Sequence, residues 1–274
     1  MDCRPIGIFD SGLGGLTTVR ELQRLLPSEQ IVYFGDTGRV PYGTRSRETI
    51  RKYARQDIRF LLSHQVKMII IACNTVAAAL AGDTDFLPVP FAEALTPAVH
   101  AAVRATRNGI IGLIGTKATV QSGAYERTLQ ELDPSLQILP AACPLFVPLV
   151  ENGYTSPDNP VTRLVAEEYL AEIRARNADT LILGCTHYPI IQPLLQSLMG
   201  SHVTLIDSGQ EAARSARDRL FQLKLQAPPG SAGGCRYFVS DSASEFQESA
   251  EAILGHPISG TARQIDIEEF PDRV

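Results

Sequence analysis

Residues 181–189 read LILGCTHYP. Leu181, Ile182 and Leu183 form a short apolar run, the pattern of a strand buried on both faces of a parallel sheet. Gly184 ends the run. Cys185, Thr186 and His187 follow on a turn, and Pro189 suits the first turn of a helix. A thiol therefore stands at the carboxyl end of a strand, the edge where open α/β sheets bind ligands. Residues 68–75, MIIIACNT, repeat the arrangement with Cys73. Two thiols thus occupy the same kind of turn, one in each half of the chain.

Working outward, the halves share an order. Residues 5–10, PIGIFD, read as a strand ending in Asp10. Gly12, Gly14 and Gly15 make a turn, and Leu16, Val19, Leu22 and Leu26 recur at helical spacing. Residues 31–35 form the next strand. The loop 36–46, DTGRVPYGTRS, is long for a connection of this kind and is a candidate binding loop. A helix over about 50–61 then leads to the Cys73 strand. After a strand at 89–92 and a helix opened by Pro97, the pattern restarts with GIIGLIG at 109–115 and a turn at 116–119. A helix at 124–132 and a strand at 136–139 follow. The apolar stretch ACPLFVPLVENG at 142–153 carries Glu151, read either as a partly buried carboxylate or as a surface exit. A helix over about 161–175 leads to the Cys185 strand.

The expected fold is α/β: two similar open-sheet lobes related by a pseudo-twofold, with the active site in the cleft between them. The first lobe takes residues 1–94 plus 208–274, and the second takes 95–207. A strand at 203–207, a helix over about 210–223, a connector PPGSAGG, a strand at 237–240 and a helix at 244–254 complete the chain, and this tail is expected to return to the first lobe.

The net charge of -5 on 274 residues offers no broad basic surface for nucleic acid. No stretch reaches the roughly 18 apolar residues of a membrane span. The first ten residues lack a signal-peptide core, and a cytoplasmic location is expected. The 5 cysteines are odd in number and widely spaced, with no CxxC pair, which fits a reducing compartment. Cys185 and His187 lack a second close pair of ligands, which argues against structural zinc.

Cys3, Cys143 and Cys235 read as buried small hydrophobes, and His64, His100, His202 and His256 as structural. Cys73 and Cys185 differ because both end strands and precede polar residues. A free thiol has a pKa of about 8.5, and a helix N-terminus supplies about 0.3–1 kcal/mol, less than one pKa unit. Ionising such a thiol therefore calls for a proton acceptor. Asp10 is a candidate for one thiol, and His187 or Glu151 for the other. A carboxylate charge nearby would itself raise a thiol pKa, so these groups are proton partners rather than thiolate stabilisers.

Five stretches taken together, GIFDSGLGG (7–15), DTGRVPYG (36–43), ACNT (72–75), PLVENG (148–153) and GCTHYP (184–189), resemble the glutamate racemases of the cofactor-independent aspartate/glutamate racemase superfamily. The resemblance covers nearly the whole chain. It implies that Cys73 takes the α-proton from D-glutamate and Cys185 from L-glutamate, with Asp10 as partner of Cys73, and His187 with Glu151 as partner of Cys185. It implies that Asp10, Ser11, Tyr42, Gly43, Asn74, Thr75, Thr186 and His187 hold the substrate. It further implies no cofactor, no metal, a homodimer, and D-glutamate destined for peptidoglycan. Val76, Ala77 and Ala78 stand where the family often has small hydroxyl residues, and they read as packing positions. Paired thiols also fit a racemase of another amino acid such as aspartate. A non-catalytic binding protein for acidic ligands would not need them, and a cysteine hydrolase using Cys185 and His187 would leave Cys73 without a role.

Overall fold

The structure is a computed structural model that describes residues 1–258 and 260–272. The chain begins β1 (Ile6–Asp10), α1 (Leu16–Leu25), β2 (Gln30–Gly35), α2 (Arg47–Ser63), β3 (Met68–Ile71), α3 (Asn74–Leu80) and β4 (Phe91–Glu93). It continues α4 (Leu95–Ala105), β5 (Ile110–Gly115), α5 (Lys117–Gln121), α6 (Ala124–Leu132), β6 (Gln137–Ala142), α7 (Phe146–Glu151), α8 (Pro160–Ala175), β7 (Thr180–Gly184), α9 (Gln192–Met199) and β8 (Thr204–Asp207). The tail adds α10 (Ser208–Leu223), β9 (Gly234–Val239), α11 (Ala243–Leu254) and β10 (Arg263–Gln264).

The strands form two open parallel sheets, ordered β10-β9-β2-β1-β3-β4 and β6-β5-β7-β8. The order β2-β1-β3-β4 recurs as β6-β5-β7-β8, so β7 is to its sheet what β3 is to the first. That correspondence puts Cys73 and Cys185 at matching strand ends. β1 and β3 pair in parallel, Ile6 opposite Met68. β5 and β7 do likewise, Ile111 opposite Thr180. These central strands are buried on both faces, which is why they read as continuous apolar runs. As expected, the tail returns to the first sheet, where β9 pairs with β2.

Several helices start at a side chain that accepts a backbone N–H. Ser46 caps α2, Asn159 caps α8 ahead of Pro160, and Asp207 caps α10; each cap is typically worth about 1 kcal/mol. One apolar cluster spans both sheets, including Ile71, Val76 and Ala98 together with Tyr125 and Ile182.

Four local expectations shift. The strand expected at 89–92 lies at Phe91–Glu93, because Pro90 has no N–H to donate to a ladder. The helix expected from Pro97 begins at Leu95, with Pro97 in its first turn, where a missing N–H costs nothing. The turn expected at 116–119 is the start of α5, capped by Thr116. Pro189 opens a 3-10 turn, Tyr188–Ile191, and α9 starts only at Gln192.

Candidate active site

Cys73 occupies the N-cap of α3 and is 4% exposed. Its Sγ lies 3.7 Å from Ser11 Oγ, and the Val76 N–H in the first turn of α3 also reaches it. Burial, with the charges of Asp10 and Cys185, pushes this thiol up to about 12, against the pull of the Val76 and Ser11 hydrogen bonds. At neutral pH it keeps its proton.

Cys185 follows β7 directly and is also buried. Its surroundings differ, because the 3-10 turn delays α9 and His187 takes the place of a helix N-terminus. The Cys185 Sγ lies 3.8 Å from His187 Nδ1, and His187 Nε2 lies 3.0 Å from Glu151 Oε1. Burial alone would push the imidazolium down. The hydrogen bonds to Cys185 and Glu151, and their charges, outweigh it and raise His187 to about 10. As an imidazolium, His187 donates from both ring nitrogens: Nδ1–H to the sulfur and Nε2–H to the carboxylate. Glu151 ends α7 on the surface, with 26% of its side chain exposed. Both readings left open for Glu151 meet here: it stands at a helix exit, and its side chain is partly buried as the carboxylate reaches back to His187.

Asp10 ends β1 and is fully buried. The Gly12 N–H donates to its Oδ2 at 3.1 Å, and the Thr186 hydroxyl to its Oδ1 at 3.2 Å. Burial raises its carboxyl above the usual range, opposed by the His187 charge and by hydrogen bonds from Gly15, Gly12 and Thr186. The Thr186 bond joins the first sheet to the second. Gly14 makes that approach possible, since a Cβ there would stand about 2.7 Å from His187 Nδ1 and would also meet Thr186 Oγ1.

Tyr42 and Gly43 lie in the long loop after β2. Tyr42 is buried, and its hydroxyl is shared between Asp36 and Asp57. Arg39 bonds the same two carboxyls, at 2.6 and 3.2 Å. The network fixes a loop that would otherwise be free to move. A Cβ on Gly43 would stand 2.5 Å from Thr116 Cβ in the second sheet's half, so the loop can close only with glycine there.

One cavity collects these residues. Both thiols line it, with Ser11, Tyr42–Gly43, Asn74–Thr75 and Thr186–His187. Asp10 stands behind Thr186 and Glu151 behind His187, each one hydrogen bond removed. The free space is about 20 Å³, room for a single water, so an amino acid enters only when the walls part. Thr116 and Val147 also line the cavity, and sequence reasoning missed both. Thr116 Oγ1 lies 3.0 Å from Thr75 Oγ1 and 2.9 Å from Thr119 Oγ1. The internal repeat held the signal for it: Thr116 follows β5 as Ser11 follows β1. Among the described residues, no group of three or more His, Cys, Asp or Glu side chains is arranged to hold a metal ion.

A chemistry follows from this layout. Two thiols from matching turns face one cavity, one as a protonated acid and one beside an imidazolium. Such a pair can take a proton from one face of a carbon and deliver one to the other.

The sequence profile of the Asp/Glu/hydantoin racemase family matches residues 13–216. The glutamate racemase of Chlorobaculum parvum is 46% identical over 92% of this chain and 93% of its own. That of Syntrophus aciditrophicus is 46% identical over 96% and 97%. Among solved structures, a glutamate racemase isoform from Bacillus anthracis superposes with a TM-score of 0.92 at 37% identity, covering 97% of this chain and 98% of that one. The glutamate racemase of Francisella tularensis, in complex with D-glutamate, gives a TM-score of 0.90 at 37% identity over 98% and 100%.

Proposed function

The chain belongs to the Asp/Glu/hydantoin racemase family, and from that premise we propose that it interconverts L- and D-glutamate by proton transfer between two thiols. The observation that carries the reading is the placement of Cys73 and Cys185 at the matching ends of β3 and β7, lining one cavity.

For L-glutamate, the Cys185 thiolate takes the α-hydrogen as a proton. The C–H electron pair stays on carbon and spreads into the α-carboxylate. The Cys73 thiol then gives its proton to the opposite face and is left as thiolate. D-glutamate runs the reverse course. A thiol kept protonated by burial suits Cys73 to the donor role in the first direction. The His187 imidazolium supplies the charge opposite the Cys185 sulfur, and Glu151 orients the ring. Asp10 acts as the proton partner of Cys73, close enough for its charge to act on the thiol.

Ser11, Tyr42, Gly43, Asn74, Thr75 and Thr186 hold the substrate's amino and carboxylate groups. Acid–base help is worth about 10²–10⁴ in rate, and oriented donors in a site that excludes water provide the larger stabilisation of the carbanion. The chemistry needs no cofactor.

The two lobes of the proposal are residues 1–94 with 208–274, and residues 95–207, each built on one sheet. The proposal also includes a homodimer, tested by sedimentation velocity, and a cytoplasmic site of action supplying D-glutamate to peptidoglycan synthesis. Among the described residues, no helix is long and apolar enough to cross a membrane.

The test is racemisation of each glutamate enantiomer in D₂O without added cofactor, followed by optical rotation and by loss of the α-hydrogen signal. Loss of rotation from both, with deuterium entering the product α-position, supports the reading. Turnover of aspartate alone would keep the mechanism and replace the substrate. Binding without turnover would overturn the enzyme reading.

A further inference from the structure

Asn74 follows Cys73 directly and lines the cavity, yet half of its amide's hydrogen-bonding capacity is engaged elsewhere. Its Nδ2 donates to Ser208 Oγ at 2.9 Å. Ser208 has one proton, and it goes to the Leu183 carbonyl at 2.8 Å, so its oxygen must accept from Asn74. That fixes the orientation of the amide and turns Oδ1 toward Tyr125, whose hydroxyl donates to it. All three side chains are buried. Tyr125 is held well above its usual pKa by burial and by the charges of Glu93, Cys185 and Cys73, so it keeps the proton it donates.

The bonds connect four elements. Asn74 opens α3 beside Cys73, Tyr125 lies on α6, Ser208 opens α10, and Leu183 lies in β7 two residues before Cys185. One amide thus links the backbone next to one thiol with the strand that carries the other. One Nδ2 hydrogen and one Oδ1 lone pair remain for substrate.

We propose that Tyr125 and Ser208 are positioning residues that act through Asn74 to fix Cys73 relative to Cys185 across the substrate. The inference rests on the two-thiol reading above. In that mechanism the carbanion needs the opposite thiol at reacting distance. If that thiol is displaced, the carbanion is recaptured by the thiol that formed it, after that thiol's proton has exchanged with solvent. Deuterium then enters the unreacted enantiomer without inversion. A misplacement of about 1 Å can cost about 10²-fold in rate.

The experiment compares the wild-type enzyme with Tyr125→Phe and Ser208→Ala in D₂O. Inversion is followed by circular dichroism, and α-deuterium in the unreacted enantiomer by mass spectrometry after chiral separation. The expected result is inversion slowed by about 10- to 100-fold, with exchange slowed much less, so that the ratio of exchange to inversion rises in both variants. Unfolded molecules do neither reaction, so a loss of folded enzyme leaves that ratio unchanged. An unchanged ratio in both variants, at whatever total rate, overturns the proposal while the two-thiol reading stands. A wild-type enzyme that inverts neither enantiomer overturns that reading, and the positioning role with it.

Discussion

Asp57→Asn tests the buried network behind the Tyr42–Gly43 loop. Asp57 lies on α2, fully buried, and shares the Tyr42 hydroxyl with Asp36 while one guanidinium, that of Arg39, faces both carboxyls. Burial, then the Asp36 charge, pushes the Asp57 carboxyl well above the ordinary range, with Arg39 and the Tyr42 hydroxyl opposing. Its folded pKa therefore exceeds its unfolded value of about 3.9. A group raised in this way contributes stability that is full below about pH 4 and lost as pH rises through the folded value. The loss reaches at most about 1.4 kcal/mol per pH unit over the window between the unfolded and the folded value. Asparagine has nearly the shape of the neutral acid and does not titrate. The stability difference between variant and wild type should therefore move in the variant's favour across that window, while the other titrating groups largely cancel. Urea unfolding followed by far-UV circular dichroism at three pH values measures it. Parallel curves, agreeing within about 0.5 kcal/mol, would refute the claim that folding raises the Asp57 carboxyl.

Cys73→Ser should stop inversion but leave α-hydrogen exchange in L-glutamate, and Cys185→Ser should leave it in D-glutamate, both read by proton NMR in D₂O. Exchange of both enantiomers by either variant would sink the assignment of one thiol to each face. Gly43→Ala places a Cβ 2.5 Å from Thr116 Cβ; overpacking of about 1–3 kcal/mol should raise KM by about 5- to 150-fold, and an unchanged KM in steady-state assays would deny that the loop closes against Thr116. At pH 8, a Cys73 thiol pushed up to about 12 is ionised in about 10⁻⁴ of molecules, against roughly a quarter for a free cysteine. Iodoacetamide should modify Cys73 about 10³-fold more slowly than free cysteine, and peptide mass spectrometry showing comparable rates would count against the raised value.

What the sequence disclosed most clearly was what local pattern controls. The apolar runs at Met68 and Leu181 marked central strands because a strand covered on both faces has no polar side to display. The small and polar residues after them marked the sheet edge, and with it both thiols. Less visible was anything settled by contacts between distant segments. Asp36 and Asp57 meet because the loop after β2 folds back on α2, and no spacing rule announces that two carboxyls will share one tyrosine. The Tyr125–Asn74–Ser208 connection joins three segments that periodicity treats separately. Pro90 and Pro189 moved element boundaries by a few residues, and the second shift mattered chemically. It took the helix N-terminus away from Cys185 and left His187 to face the sulfur.

That shift bears on the proposed two-thiol reaction. A two-base reaction needs one thiol and one thiolate at the same moment, and identical surroundings would let either sulfur hold the proton, as coupled titrating groups do. The repeat delivers two equivalent turns, but their partners differ. Cys73 meets a hydroxyl and a helix amide that favour its thiolate, but burial and the charge of Asp10 outweigh them and keep it protonated. Cys185 meets an imidazolium held in place by Glu151. In the proposed reaction the shared fold brings the two sulfurs to one cavity, and the unshared neighbours keep the proton on Cys73.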